Sequence, residues 1–196
     1  MFTYLIPLFY MVSKFSEEKQ SKTKEGMKMM GLNESVYFLS WFILFLTVMI
    51  VMAIVIIAMV GPGLFYQSNK MLILFMCILY GTSIFSESML ISALLPDTRS
   101  SQTLSTLFHV ITYFLVYLIN PDSSFLAKFS ISIFPNCAMV LSLTNMFHFE
   151  YESHGQTFAN SSTSYQNYSF TEGLLFLLFD TIAYSALAYY IDQISQ

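Results

Sequence analysis

Long uncharged apolar stretches alternate with short polar breaks along the chain. That pattern predicts membrane-spanning helices, because about 20 mostly apolar residues cross a bilayer. Val36 to Val60 carries no charge and runs into Gly61-Pro62-Gly63. Met71 to Leu95 is a second run, closed by Pro96-Asp97. Leu104 to Ile119 is a shorter third, closed by Asn120-Pro121, and Leu174 to Ile191 is a fourth, entered through Thr171-Glu172. Met1 to Val12 is apolar but short, and it lacks the charged start and small-residue cleavage site of a signal peptide. It reads as the end of a helix whose beginning is missing. Phe125 to Phe149 is apolar but interrupted by Pro135-Asn136, and it carries Lys128, Asn145 and His148. A proline there removes a backbone donor where no water replaces it. A kinked span is one reading; two short helices that enter the membrane and return to the same side are the preferred one.

The expected layout is therefore a truncated spanning helix at 1–13, a cytosolic loop with an amphipathic helix at 14–35, and spans at 36–60, 71–95, 101–119 and 174–191. A re-entrant hairpin at 125–147 and an exterior loop at 148–173 complete it. The fold class predicted is an all-α, polytopic transmembrane helix bundle with a broken re-entrant hairpin.

Composition sharpens this reading. Of 196 residues 56% are hydrophobic and only 10% charged, against about 25% charged in soluble domains. The mean hydropathy of +0.62 likewise excludes a soluble domain, a disordered chain or a disulfide scaffold. A net charge of −4 with eight basic residues leaves no footprint for nucleic acid. Cys77 and Cys137 lie in apolar runs and form no CxxC pair.

The lysines set the orientation. Lys14, Lys19, Lys22, Lys24 and Lys28 all precede the first full span, and basic residues beside a span favour the cytosol. The loop at 61–70 is then exterior, Arg99 is cytosolic, and a returning hairpin leaves 149–172 exterior. Two N-glycosylation triplets, Asn160-Ser161-Ser162 and Asn167-Tyr168-Ser169, fall in that exterior loop. Asn33-Glu34-Ser35 is a third such triplet on the cytosolic side.

The lysine-rich loop reads Glu18-Lys19-Gln20-Ser21-Lys22-Thr23-Lys24-Glu25-Gly26-Met27-Lys28-Met29-Met30-Gly31-Leu32. Charges at the front and methionines at the back suit an interfacial helix, with Met27 and Met30 three apart and Gly31 placed to end it. A solvated positive-inside loop is the plainer alternative. This stretch resembles the loop after the second span of A-subfamily ABC transporters, the lipid exporters, with Glu18, Lys19, Lys22, Lys24, Glu25, Met27, Lys28, Met30, Gly31 and Leu32 matching and Ser40-Trp41-Phe42 following. Gln20 and Thr23 depart from that pattern. The resemblance continues in Leu177-Leu178-Phe179-Asp180-Thr181-Ile182-Ala183-Tyr184 and in Tyr190-Ile191-Asp192.

What the resemblance implies is one membrane half of an ATP-driven exporter of the ABC-2 type, minus its first helix, its large exterior domain and its nucleotide-binding domain. ATP and magnesium would belong to that further domain. The implied partners are membrane lipids, a nucleotide-binding domain and a second transmembrane half, with the loop as coupling helix and a multi-pass membrane location. A truncated membrane protein that only packs with partner helices is the competing class, and a small channel or lipid-modifying enzyme a third.

Enzyme chemistry is not written in the chain itself. Gly26 and Gly31 have P-loop spacing, but Leu32-Asn33 stands where Lys-Ser/Thr is needed. No LSGGQ-type signature or Ser-His-Asp constellation is present. His148, Glu150, Glu152 and His154 could face one way on a strand and hold a divalent ion; a polar interfacial turn is the other reading. His109 inside the third span calls for a Ser or Thr partner. Two acids stand in spans, Glu87 and Asp180. An ionised carboxylate costs about 2.5–3.5 kcal/mol at a bilayer centre, so Glu87 should face protein or a water-filled cavity, as a structural or substrate-path residue. Asp180 reads as a packing residue first and a headgroup contact second.

Overall fold

The structure, a computed structural model, describes residues 2–95, 97–120 and 123–194. Its helices are α1 (Leu5–Gln20), α2 (Thr23–Met29), α3 (Glu34–Leu64), α4 (Lys70–Leu94), α5 (Thr98–Leu115), α6 (Phe125–Ile131), α7 (Pro135–Tyr151) and α8 (Phe170–Ile194). Between α7 and α8 lie two short antiparallel strands, β1 (Ser164–Tyr165) and β2 (Tyr168–Ser169). Three helices, α3, α4 and α8, are long and apolar enough to cross a membrane. The chain is an all-α, multi-pass membrane protein.

Several boundaries differ from the sequence reading, each for a local reason. The first helix does not stop at 13 but runs to Gln20, because Lys14 pairs with Glu17 at 2.8 Å and Lys19 reaches the Ala93 carbonyl at 2.8 Å. Met1 itself lies outside the described residues. Helix α3 passes through Gly61-Pro62-Gly63 to Leu64; Pro62 removes only one bond in the last turn, and apolar surroundings make open backbone costlier. Helix α8 begins at Phe170, four residues early, because Ser169 and Glu172 form a reciprocal cap (Ser169 N to Glu172 Oε2, 2.6 Å; Glu172 N to Ser169 Oγ, 3.2 Å). The region expected as a span at 101–119 is the 18-residue α5 followed by a 3₁₀ turn (Val116–Leu118). It is absent from the three helices that meet the spanning criterion, because a stripe of Ser101, Ser105, His109 and Thr112 lowers its hydropathy. That stripe faces the protein, while Leu104, Leu107, Ile111 and Phe114 face outward.

This inversion runs through the whole molecule. Leu39, Ile43, Val51 and Ile54 of α3 and Leu175, Phe179 and Ile182 of α8 are exposed, while Ser83, Ser86, Ser88, Asn136 and Ser142 are fully buried. Apolar exposure on this scale would be a liability in water and is the ordinary surface in lipid. Helix α4 is the central element, buried on nearly every side and packed chiefly against α8, with α3 and α1 on its flanks. Small residues permit the closest approaches. A Cβ at Gly81 would come within 2.8 Å of Met49 Cγ, and one at Gly173 would overlap Ser142 Oγ.

Side-chain contacts give the direction of each helix. Thr82 meets Thr181 at 3.3 Å and Ser86 meets Ser185 at 2.7 Å, so α4 and α8 run parallel. Helix α1 is parallel to them: Tyr4 donates to the Cys77 carbonyl (3.2 Å), and Ser16 meets Ser92 (3.5 Å). The α6–α7 pair folds back on itself. Lys128 donates to the Gln166 carbonyl at one end, Tyr184 donates to the Ile133 carbonyl (2.8 Å) at the tip, and Asn145 donates to the Tyr168 carbonyl (2.8 Å) on the way back. Both ends of the pair therefore lie beside the 152–169 loop, and the tip lies level with the middle of α8. The loop at 65–69 shares that end, fastened by Glu150, which accepts from Gln67 N (2.6 Å), Ser68 N (3.1 Å) and Ser68 Oγ (2.5 Å). The lysine-rich connector sits at the opposite end.

Candidate coupling and transport site

The connector between α1 and α3 is built in two pieces rather than one helix from Glu18 to Leu32. Glu18 and Lys19 lie in the last turn of α1. The chain then breaks at Lys22, whose φ is +53°, before the seven-residue α2. Helix α2 ends as its sequence suggests: Gly31, at φ +93°, donates to the Lys28 carbonyl (2.9 Å) and Leu32 donates to the Met27 carbonyl (3.1 Å). These are the two bonds of a Schellman cap. Asn33 then caps α3 by accepting from Ser35 N at 3.2 Å, a structural use of the residue that heads the cytosolic glycosylation triplet.

Two contacts fix the connector to the bundle. Tyr37 of α3 donates to Glu18 Oε2, and Lys19 holds the C-terminal carbonyl of Ala93 on α4. Glu18 thus ties α1 to α3, and Lys19 ties α1 to α4. Beyond the break the charges face solvent: Lys22 and Glu25 pair at 4.0 Å with both side chains largely exposed, a contact worth little by itself. Lys14 beside Glu17 holds that carboxyl below the usual range. Met27 and Met30 do not share a face. Met27 is half-buried against the core, whereas Met29 and Met30 are 88% and 81% exposed. Met30 lies just past the end of α2, as its C-cap residue, next to Gly31. Lys24 lies on α2, with its side chain outside the described residues, and Lys28 is half-buried on the same helix.

The two acids of the spanning helices are both inside the protein, Glu87 at 2% and Asp180 at 1% exposure. Neither Glu87 oxygen has a hydrogen-bond partner, nor does Asp180 Oδ2. The nearby hydroxyls are committed elsewhere: Ser83 donates to the Tyr80 carbonyl (2.8 Å), Ser86 to that of Thr82 (3.1 Å) and Ser88 to that of Ile84 (2.7 Å). Glu87 has therefore found protein surroundings but not the hydroxyl or backbone partner expected of it.

A polar hub lies at the hairpin tip that the sequence reading passed over. Asn136 accepts from Tyr80 Oη (2.5 Å) on α4 and donates to the His109 carbonyl and to Thr112 Oγ1 (both 2.8 Å) on α5. His109 Nδ1 stands 3.2 Å from the same amide nitrogen. The partner of His109 is thus an asparagine from another helix. The signal was present in Pro135-Asn136: proline opens α7 at its first position, which leaves the next residue at the deepest point of the hairpin.

The exterior acids and histidines stand on helix and turn, not on a strand. His148 and Glu152 pair at 3.3 Å one turn apart, His148 stacks on Tyr165 at 3.6 Å between ring centroids, and Glu150 fastens the α3–α4 turn. Among the described residues no group of three or more His, Cys, Asp or Glu could hold a metal ion. Asn160 lies half-buried within the loop between α7 and β1, and Asn167 is exposed at the β1–β2 turn.

Comparison with known proteins agrees with this architecture. The family of ABC-2 family transporter proteins matches residues 1–190. Mouse "Cholesterol transporter ABCA5" is 25% identical over 189 residues, covering 95% of this chain and 11% of the relative. Human "ATP-binding cassette sub-family A member 6" is 28% identical over 192 residues, covering 96% of this chain and 12% of the relative. "ABC transporter A family member 2" of Dictyostelium discoideum is 30% identical over 122 residues, covering 62% of this chain and 7% of the relative. The chain spans about a tenth of the length of the first two relatives. With a helix bundle polar inside and apolar outside, and a family match over nearly its whole length, the chain belongs to the ABC-2 family of transporter proteins.

Proposed function

We propose that this chain is a transmembrane module of an ATP-driven transporter that moves lipid across or out of the bilayer. A nucleotide-binding domain outside these 196 residues would bind ATP and magnesium, and a second transmembrane half would complete the path. The observation that carries the reading is the family match over residues 1–190, and relatives from the A subfamily, one of them named a cholesterol transporter, support lipid as the substrate class. Sterol is then the first lipid to assay.

The α1–α2–α3 connector is the coupling element in this reading. Motion delivered to α2 reaches the end of α1 and passes from there to α3 through Glu18–Tyr37 and to α4 through Lys19–Ala93. Interleaved acids and lysines favour pairing with a protein surface over a purely anionic headgroup layer. Met29 and Met30 supply adaptable apolar contact to a moving partner. Replacing both with Asp in the complete transporter should abolish lipid movement while ATP hydrolysis and membrane topology persist, since Met27 keeps its packing. Undiminished, ATP-dependent lipid movement in that double variant would overturn the coupling role. ATP-independent membrane residence with no lipid movement in the unmodified protein would favour the packing-only class instead.

A further inference from the structure

Both exterior Asn-x-Ser triplets look alike in the sequence, yet the fold uses their asparagines differently. Asn160 is the internal tie of the 152–163 loop. Its Oδ1 accepts from Thr157 N (2.7 Å) and Gln156 Nε2 (3.3 Å), its Nδ2 donates to the Gly155 carbonyl (2.8 Å), and its own carbonyl accepts from Thr163 N (3.0 Å) and Thr163 Oγ1 (2.5 Å). That knot is anchored in turn to the α3–α4 loop. Gln156 N donates to Ser68 Oγ (2.9 Å) and Asn69 N donates to the Gln156 carbonyl (2.8 Å). Gly155, at φ +60°, lies so close to Gln67 that an added Cβ would stand 2.5 Å from its backbone carbon.

Asn167 has the opposite setting. It occupies the second corner of a two-residue turn between β1 and β2, where Gln166 and Asn167 have φ of +50° and +60°. Asparagine tolerates that left-handed conformation better than other residues with side chains. It is exposed, and among the described residues none of the loop's hydrogen bonds uses its side-chain amide. The pairing of Ser164 with Ser169 and of Tyr165 with Tyr168, and the burial of Tyr168 at 2% exposure, hold the turn outward.

We propose that Asn167 carries an N-linked glycan in the folded protein and that Asn160 does not. The donor is an oligosaccharide delivered as its isoprenyl diphosphate. Asn167 Nδ2 gives up one proton to a base and bonds to the anomeric carbon; the bond from that carbon to the diphosphate oxygen breaks, and the diphosphate leaves with the electron pair. The product is a secondary amide, which prefers the trans arrangement and so sets the sugar carbon on the same side of the nitrogen as the amide oxygen. At Asn160 the amide oxygen beside that position already accepts from Thr157 N and Gln156 Nε2, and the residue is half-buried. A sugar there cannot coexist with the knot. At Asn167 the same position opens to solvent. The inference rests on the orientation set by the lysines, with the 152–169 loop exterior, and is independent of what the transporter moves.

The test is site occupancy at peptide level in the full-length protein made in a eukaryotic secretory membrane. Enzymatic glycan removal in heavy-oxygen water converts a glycosylated asparagine to labelled aspartate. Label is expected at 167 and not at 160. Ser162→Ala, which destroys the first triplet but spares the Asn160 hydrogen bonds, should leave both occupancy and melting temperature unchanged. Asn167→Asp, which keeps a short side chain suited to the turn, should leave the loop unglycosylated. Asn160→Asp, which replaces the donating amide, should lower the melting temperature without altering occupancy at 167. Label at 160, or label at neither position, overturns the proposal.

Discussion

Asn136→Ala should unlock the hairpin tip while leaving the rest of the bundle in place. The substitution removes three bonds that cross between helices: one from Tyr80 on α4 and two to His109 and Thr112 on α5. Interhelical hydrogen bonds in membranes average about 0.6 kcal/mol each, with a ceiling near ~1.7, so the loss is about 2 kcal/mol and at most about 5. The lower figure corresponds to about a 30-fold rise in the population of the opened tip. Cys137 is a built-in reporter, since it adjoins Asn136, is fully buried, and donates to the Thr112 carbonyl at 3.2 Å. Cys77, buried in the middle of α4, reports on the bundle as a whole. Maleimide labelling of the two thiols, each in a background where the other is alanine, separates local from global opening. Cys137 should label about 30-fold faster in the variant, with Cys77 unchanged. Equal acceleration of both thiols, or of neither, would refute the local hub.

Other substitutions bear on different joints. Gly173→Ala should destabilise the α7–α8 contact by about 1–3 kcal/mol, because its Cβ would overlap Ser142 Oγ; adding Ser142→Gly should recover most of the loss in thermal unfolding. Glu150→Ala should accelerate hydrogen exchange at Gln67 and Ser68, whose amides it accepts from, with helix α4 still protected; unchanged exchange there would show that the staple holds nothing. Glu18→Ala should loosen α1 from α3 by removing the acceptor of Tyr37, and cross-linking between cysteines placed at 18 and 37 in a parallel variant should be efficient in the resting protein.

How far the sequence reached follows from the physics of each element. Helix α4 was legible to within one residue at both ends, from the start of the apolar run at Met71 and its close before Pro96. The helical hairpin was legible through one proline within an apolar segment. The extent of α1 was not, because charges suggested a loop, whereas Lys14–Glu17 and Lys19–Ala93 are spent on continuing the helix. The start of α8 was encoded in Ser169-x-x-Glu172 but hidden by the apolar run four residues later. At the candidate coupling site the residue types were readable, and their facing was not. A single left-handed residue, Lys22, rotates everything after it, and no periodicity in the surrounding sequence announces that rotation. The role of Asn136 stayed hidden because its three partners come from helices distant in the chain.

The parallel pairing of α4 with α8 has a mechanical consequence. Its two hydroxyl rungs, Thr82–Thr181 and Ser86–Ser185, are four residues apart on both helices, close to one helical turn. A hydroxyl has one proton, and Thr82, Ser86 and Thr181 can each give theirs to a carbonyl of their own helix instead of to a rung, at 2.9, 3.1 and 2.8 Å. Sliding one helix along the other therefore strands none of these three hydroxyls without an acceptor. A displacement of four residues, about 6 Å, brings Ser86 opposite Thr181 in one direction and Thr82 opposite Ser185 in the other, while smaller displacements leave both rungs open. The seam is thus indexed rather than continuous: a low-friction track with one built-in stop in each direction, running through the most buried part of the molecule.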